Sequence, residues 1–191
     1  MLGLPAPYSS TQASIISFFG ITVPAILLPF WASIGRVPEK FVSRQLIHFV
    51  LPAALTTSLL AILIYAWYVQ LTSDIEYARL VVTHALVVAA LIRVVFVKPP
   101  TPAWVGGNPL CGDWRPVWMT TIAGLIYVVF VAITAAVSTF QGWFDLDALK
   151  QPQDYLFIIV SVGLWAIVTR TLWRLLLRYG KWAIYIIPPN H

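Results

Sequence analysis

The chain has 191 residues, of which 60% are hydrophobic and only 10% are charged. A soluble domain carries about 25% charged residues, so this composition excludes an ordinary soluble domain and predicts an integral membrane protein. The single Cys111 excludes an internal disulfide and a cysteine-based metal cluster. The net charge of +5 is interpreted as a sign of membrane topology, and no nucleic-acid partner is predicted.

A spanning helix needs about 20 mostly apolar residues, and five segments of the chain meet that requirement. In chain order these are roughly Ala13 to Trp31, Leu46 to Val69, Ala78 to Val97, Val117 to Phe140 and Tyr155 to Leu176. The sequence therefore predicts an all-α integral membrane fold. We expect one transmembrane domain over residues 1–191, built as a five-helix bundle.

The first predicted span differs from the others because it contains helix-breaking residues. Gly20, Thr22, Pro24 and Pro29 all fall within one membrane thickness. Proline removes an amide donor and clashes with the preceding turn, so it kinks or breaks a helix. Broken spans of this kind recur where transporters hold ions near the bilayer centre. This segment is therefore the predicted location of any ion site.

The basic residues lie almost entirely on one side of the predicted spans, ten of them against two. The ten are Arg36, Lys40, Arg44, Arg93, Lys98, Arg115, Arg170, Arg174, Arg178 and Lys181. The other side has Arg79 and Lys150, together with most of the acidic residues. Basic loops remain in the cytoplasm. The predicted orientation therefore has the N-terminus outside, the C-terminus in the cytoplasm and the protein in the cell membrane.

The start of the chain contains a recognisable pattern, which consists of Leu2-Gly3-Leu4-Pro5, then Gln12, then Pro24-Ala25. It resembles the entry to the sixth membrane helix of cation-transporting P-type ATPases, the calcium-pump-like group above all. Five spans with an external N-terminus match helices six to ten of that family. The resemblance thus implies that this chain is the C-terminal transmembrane region of such a pump.

In that family the sixth helix unwinds beside this proline and supplies Asn and Asp oxygens to the cation. The resemblance places Ser17 at the Asn position and Ile21 at the Asp position. The scaffold of the motif is therefore present without its charged ligand. A proton, a monovalent ion, a non-ionic substrate or no transport at all remain open.

The resemblance also implies partners. The phosphorylated aspartate of the run DKTGT and a nucleotide-binding domain are not in this sequence, so the chain alone is not expected to hydrolyse ATP. A second polypeptide, or a missing N-terminal region, would supply helices one to five and the phosphorylation domain. ATP and Mg would bind there, and no cofactor is expected in this chain.

The candidate ion path consists of Ser17, Thr22 and His84, with carbonyls near Pro24. An ionisable residue inside the membrane is a functional hypothesis by default. The alternative is that the hydroxyls make backbone or interhelical hydrogen bonds and that His84 is a neutral histidine bonded between helices. The predicted spans have no Asp or Glu in their interiors. No catalytic residue and no metal site are predicted.

Arg170, Arg174 and Arg178 recur every four residues and therefore share one helix face. They are predicted to anchor the chain to lipid headgroups or, alternatively, to an acidic partner surface. Arg93 and Arg170 lie deeper and are expected to snorkel to the cytoplasmic headgroups.

A competing hypothesis belongs to a different class of protein. The chain would be a structural five-span subunit of a respiratory, photosynthetic or transport complex with no ion path. The match to the pump motif would then be chance or a relic.

Overall fold

A computed structural model of the chain describes residues 6–27, 39–97 and 114–179. Side chains are described for residues 6–26, 50–96 and 114–175, apart from Ser138 and Gln141. Several predictions lie outside this part of the chain. They concern the run at residues 2–5, Pro29, the end of the first span at Trp31, Cys111 and the side chain of Arg178.

The described residues form helices and turns, and they contain no β-strand. The helices are α1 (Ser10–Ser17), α2 (Val23–Leu27), α3 (Glu39–Thr72), α4 (Ile75–Val97), α5 (Arg115–Ala136), α6 (Ser138–Phe144) and α7 (Pro152–Tyr179). A π-helical turn, Phe18–Thr22, joins α1 to α2. We call α1, this turn and α2 together the broken helix.

Four helices are long and apolar enough to cross a membrane, namely Val50–Thr72, Ile75–Phe96, Arg115–Ala136 and Pro152–Leu175. The broken helix is a shorter apolar element over Ser10–Ile26. The fold is therefore all-helical and compatible with a membrane bundle. Leucine, isoleucine, valine and tryptophan side chains are exposed along α3, α5 and α7, as expected for surfaces that face lipid.

The helices begin and end at different residues from the predicted spans. The fourth was expected to continue to Phe140, but α5 ends at Ala136 because Val137 adopts an extended conformation. The short helix α6 begins directly afterwards at Ser138. Serine is a residue that favours helix starts over helix interiors, so a break at this point is consistent with the local sequence.

Helix α4 occupies the centre of the bundle. In its spanning window 72% of residues are buried, against 39% in α3 and 28% in each of α5 and α7. It packs against α3, α5, α7 and the broken helix. Small buried residues, including Ala78, Ala85 and Ala89, let these neighbours approach closely. Helix α4 is therefore the central element that the other three long helices and the broken helix share.

Two groups of hydrogen bonds hold the long helices together. Within the bundle, Thr56 accepts from Trp165 Nε1 at 3.1 Å and from Thr169 Oγ1 at 2.9 Å, and it donates to the Pro52 carbonyl. The Thr56 hydroxyl is thereby fully used, which joins α3 to α7.

At one end of the bundle, Tyr68 and Tyr77 donate to the carboxylate of Asp154. Lys150 and Asp74 form an exposed ion pair at the same end, 3.7 Å apart. We call this end, with Asp74, Asp145, Asp147 and Asp154, the acidic end, and the opposite one the basic end. The contacts at the acidic end join the starts of α4 and α7 to the end of α3.

Candidate functional site

The broken helix starts at the acidic end with two reciprocal hydrogen bonds. The Ser9 hydroxyl accepts from the backbone N–H of Gln12, and the side-chain oxygen of Gln12 accepts from the backbone N–H of Ser9. Gln12 is only 1% exposed, and its Nε2 also donates to the Asp145 carbonyl at 3.1 Å. The pattern Ser-x-x-Gln is a known helix-start signal. Gln12 thus holds the start of the broken helix against the loop before α7.

The helix loses its regular hydrogen bonding one turn before Pro24. The Val23 amide donates to the Phe18 carbonyl, a spacing of five residues instead of four. Pro24 has no amide hydrogen to offer the carbonyl of Gly20, and its ring crowds that carbonyl. Single π turns of this kind are frequent at functional sites. The predicted break in the first span is therefore present between Phe18 and Pro24.

Gly20 brings the break against α4. A Cβ added at this glycine would lie 2.9 Å from the Cβ of Ala90, closer than two carbon atoms tolerate. On the same side, Ile15 and Phe19 are buried in the core. The absence of a side chain at residue 20 therefore permits the close approach of the two helices.

The predicted path residues fall on different surfaces of the broken helix. Pro24 is buried, whereas Ser17 and Thr22 are exposed. Ile21, at the position where the resemblance expects aspartate, is also exposed. The hydroxyls of the break thus lie on the side that α4 does not cover.

Ser17 lines a groove between the broken helix and α3. The groove has a volume of about 380 Å³, and its hydroxyl-bearing lining residues are Tyr8, Ser17, Thr57 and Ser58. Thr57 Oγ1 donates to the Ala53 carbonyl at 2.6 Å and accepts from Arg93 Nη2 at 3.0 Å. We call this the α3 groove, and it brings the Ser17 hydroxyl to the same surface as the hydroxyls of α3.

His84 lies elsewhere, between α4, α5 and the acidic end. It is 4% exposed, with Nε2 at 3.0 Å from the Asp147 carbonyl and Nδ1 at 2.7 Å from the Tyr127 hydroxyl. A carbonyl can only accept, so Nε2 carries the hydrogen and Nδ1 accepts from Tyr127. Both ring nitrogens are occupied. This geometry favours a histidine bonded between elements, and it does not bring His84 together with Ser17 or Thr22.

The arginine row lies on the basic half of α7. Arg170 is half-buried and Arg174 is exposed. Both positions and Arg178 belong to one continuous helix, so the four-residue spacing places them on one face.

The sequence reasoning missed the network at the acidic end. Asp154 joins two tyrosines from other helices, and the loop from Asp145 to Asp147 is held by Gln12 and His84. The start signal at Ser9 and Gln12 was the one local indication of it. Within the described ranges, no three His, Cys, Asp or Glu side chains are grouped closely enough to share a metal ion.

Comparisons with models of known families, with curated proteins and with solved structures found no match to this chain. A functional assignment therefore depends on its own residues and geometry.

Proposed function

We propose that this chain is the membrane portion of a cation-transporting P-type ATPase, equivalent to helices six to ten of the calcium-pump-like group. The observation that supports it is the π turn between Phe18 and Pro24, which lies where the resemblance expects the sixth helix to unwind. In this proposal the broken helix is the first of five spans. The N-terminus is outside and the basic end faces the cytoplasm of a cell-membrane protein.

The proposed role is to support ion translocation and to brace the mobile helices of the pump. The central, well-buried α4 suits a bracing role, and the exposed hydroxyls of Ser17 and Thr22 suit a surface that further helices complete. Those helices, one to five, would come with the phosphorylation domain from a second polypeptide or from a preceding region. ATP and Mg would bind there.

The chemistry of the broken helix limits what it contributes to an ion. Ser17, Thr22 and carbonyls near Pro24 are neutral oxygen donors, and Ile21 replaces the expected carboxylate. Divalent cations such as Ca²⁺ are bound largely through carboxylates. A calcium site would therefore take its charged ligands from the other helices. A proton or monovalent ion is compatible with hydroxyls and carbonyls from this chain.

Ion flux in the reconstituted complex tests the path. We expect Ser17→Leu and Thr22→Leu to lower flux at least ten-fold, because each removes an oxygen and adds bulk at the break. Thr121→Leu is the matched control, since that exposed hydroxyl bonds only within its own helix, to the Val117 carbonyl. Unchanged flux in both test variants, with the complex intact, would refute the path.

A second candidate is a structural subunit of a respiratory, photosynthetic or transport complex. It is favoured by the two occupied ring nitrogens of His84 and by the position of every described carboxylate near the acidic end. Purification in mild detergent separates the two candidates. Recovery of a polypeptide with DKTGT supports the pump, and recovery of respiratory or photosynthetic subunits supports the alternative.

A further inference from the structure

The Arg93 side chain contacts the second predicted span. Its Nη2 donates to Thr57 Oγ1 at 3.0 Å. Thr57 lies eleven residues after Leu46, where that span is predicted to begin, and at about 1.5 Å per residue this corresponds to a depth of about 16 Å. Side chains on a helix tilt toward its N-terminus, which for α4 is the acidic end. Arg93 thus contacts Thr57, and its snorkelling to the cytoplasmic headgroups stays a prediction.

The guanidinium has no counter-charge in the described part of the chain. Arg93 Nε is buried and has no hydrogen-bond partner there. The described carboxylates all lie at or near the acidic end, and they are Asp74, Glu76, Asp145, Asp147 and Asp154. Arg93 follows Ile75, the first residue of α4, by eighteen residues, which corresponds to about 27 Å along the helix. A charge at this depth is costly unless it is paired.

The sequence contains two further acidic residues, Glu39 and Asp113, whose side chains lie outside the described part. Glu39 belongs to the same continuous helix as Thr57, eighteen residues before it. It is therefore about 27 Å away along α3, too far for an ion pair. Asp113→Asn tests whether the counter-charge of Arg93 comes from this chain.

Arg93 adjoins the α3 groove through Thr57, the side chain to which it donates. Thr57 lines that groove beside Ser17 and Ser58, and Leu86 of α4 lines it as well. Leu86, Ala90 and Arg93 are spaced four and three residues apart, so they share one face of α4. The groove thus has an apolar wall and hydroxyls, and one of these hydroxyls is bonded to a positive charge.

We propose that the α3 groove receives a membrane helix from outside this sequence, and that an Asp or Glu of this helix pairs with Arg93. The inference rests on the proposed function, because the helix would belong to the rest of the pump. Charge complementarity identifies the occupant as a carboxylate-bearing helix. A lipid phosphate would have to descend about 16 Å into the hydrocarbon to reach the level of Thr57.

Cross-linking from inside the groove tests which molecule occupies it. A photoactivatable maleimide is attached to Ser58→Cys in a Cys111→Ser background, in the complex purified from membranes, and the linked peptide is identified by mass spectrometry. We expect an apolar segment with an Asp or Glu within about two helical turns of the link. Links to lipid alone, or to segments without a carboxylate, would overturn the proposal.

Substitution of Arg93 tests the charge. Arg93→Met removes a half-buried charge that has no counter-charge in the described part of the chain, so the isolated chain is expected to keep its helix content and melting temperature. Recovery of the DKTGT polypeptide is expected to fall at least ten-fold. Arg93→Glu should restore this recovery when the carboxylate residue identified on the partner helix is replaced by arginine. Arg115→Met, at the exposed start of α5, is the comparison variant and should lower the recovery less than Arg93→Met does.

The outcomes separate the two proposals. If the unaltered chain recovers no DKTGT polypeptide, the proposed function fails. If the unaltered chain and Arg93→Met recover it equally, only the Arg93 pairing fails. If Asp113→Asn reproduces the loss seen with Arg93→Met, the counter-charge lies within this chain and the pairing across the groove is wrong.

Discussion

At the residue scale, Gly20 and His84 show how single positions hold the broken helix and the loop before α7 in place. Gly20 lets the broken helix touch Ala90, and His84 bonds one element on each side of its ring. Neither role involves an ion directly. Both therefore predict effects on stability that are separable from effects on transport.

Gly20→Ala is expected to destabilise the folded chain. The new Cβ would lie 2.9 Å from the Cβ of Ala90, and overpacking of this kind costs about 1–3 kcal/mol. Unfolding in detergent followed by circular dichroism measures the change. Gly163→Ala in α7 is the control, because nothing lies within 4 Å of its added Cβ. Equal stabilities of the two variants would show that the broken helix does not pack on α4 at this point.

His84→Leu should lower the free energy of unfolding by about 1–3 kcal/mol, because it removes the hydrogen bonds that His84 makes with the Tyr127 hydroxyl and the Asp147 carbonyl. Tyr127→Phe should cost less, and the double variant should cost less than the sum of both. Ion flux per folded complex should stay unchanged in each variant. A His84→Leu variant of normal stability that has lost flux would place His84 in the ion path.

At the element scale, each connection at the acidic end joins helices that are distant in the chain. Asp154 of α7 bonds Tyr68 of α3 and Tyr77 of α4. Gln12 ties the broken helix to Asp145. The hydroxyls of Thr56 and Thr57 make the equivalent links deeper in the bundle. Removing one of the links at the acidic end should therefore loosen several helices together.

Asp154→Asn is expected to destabilise the bundle by about 1.5–3 kcal/mol, the range for hydrogen bonds to a charged group. An amide offers one acceptor oxygen, so it cannot replace both carboxylate oxygens. Asp145→Asn is the matched control, since its carboxylate accepts only an exposed bond from Ser9, at 3.2 Å, and it should cost less than about 1 kcal/mol. A larger loss in the control would contradict the assigned importance of the tyrosine pair.

At the scale of the whole molecule, the separation of charge predicts the orientation of the bundle. The described carboxylates gather at one end, and four of the six described basic side chains belong to the other, namely Arg93, Arg115, Arg170 and Arg174. Because basic loops are retained in the cytoplasm, the acidic end is expected outside the cell. The same separation leaves Arg93 without a described counter-charge, which connects topology to the proposed contact with a further helix.

A membrane-impermeant maleimide measures the orientation. With Cys111 replaced by serine, Ala148→Cys at the exposed acidic end should be labelled in intact cells. The native Cys111 should be labelled only after the membrane is permeabilised. The reverse pattern would contradict an external N-terminus.

The sequence by itself determined the all-helical fold, the apolar segments that became four helices long enough to cross a membrane, and the break before Pro24. These features depend on composition and on local backbone chemistry, which are properties of a short stretch of chain. The four-residue spacing of the arginines on α7 is likewise a property of a short stretch of chain. The outcome for the first span confirms the value of such local signals, since the break lies between Phe18 and Pro24.

Only the tertiary structure decided which side chains meet. Ser9 bonds a residue 136 positions away, and Tyr77 bonds one that is 77 positions away. The bonds of His84 and the depth of the Arg93 guanidinium likewise depend on how α4 packs against its neighbours. Hydropathy is read along the chain, whereas a hydrogen bond depends on distance across the bundle, and helix packing alone sets that distance.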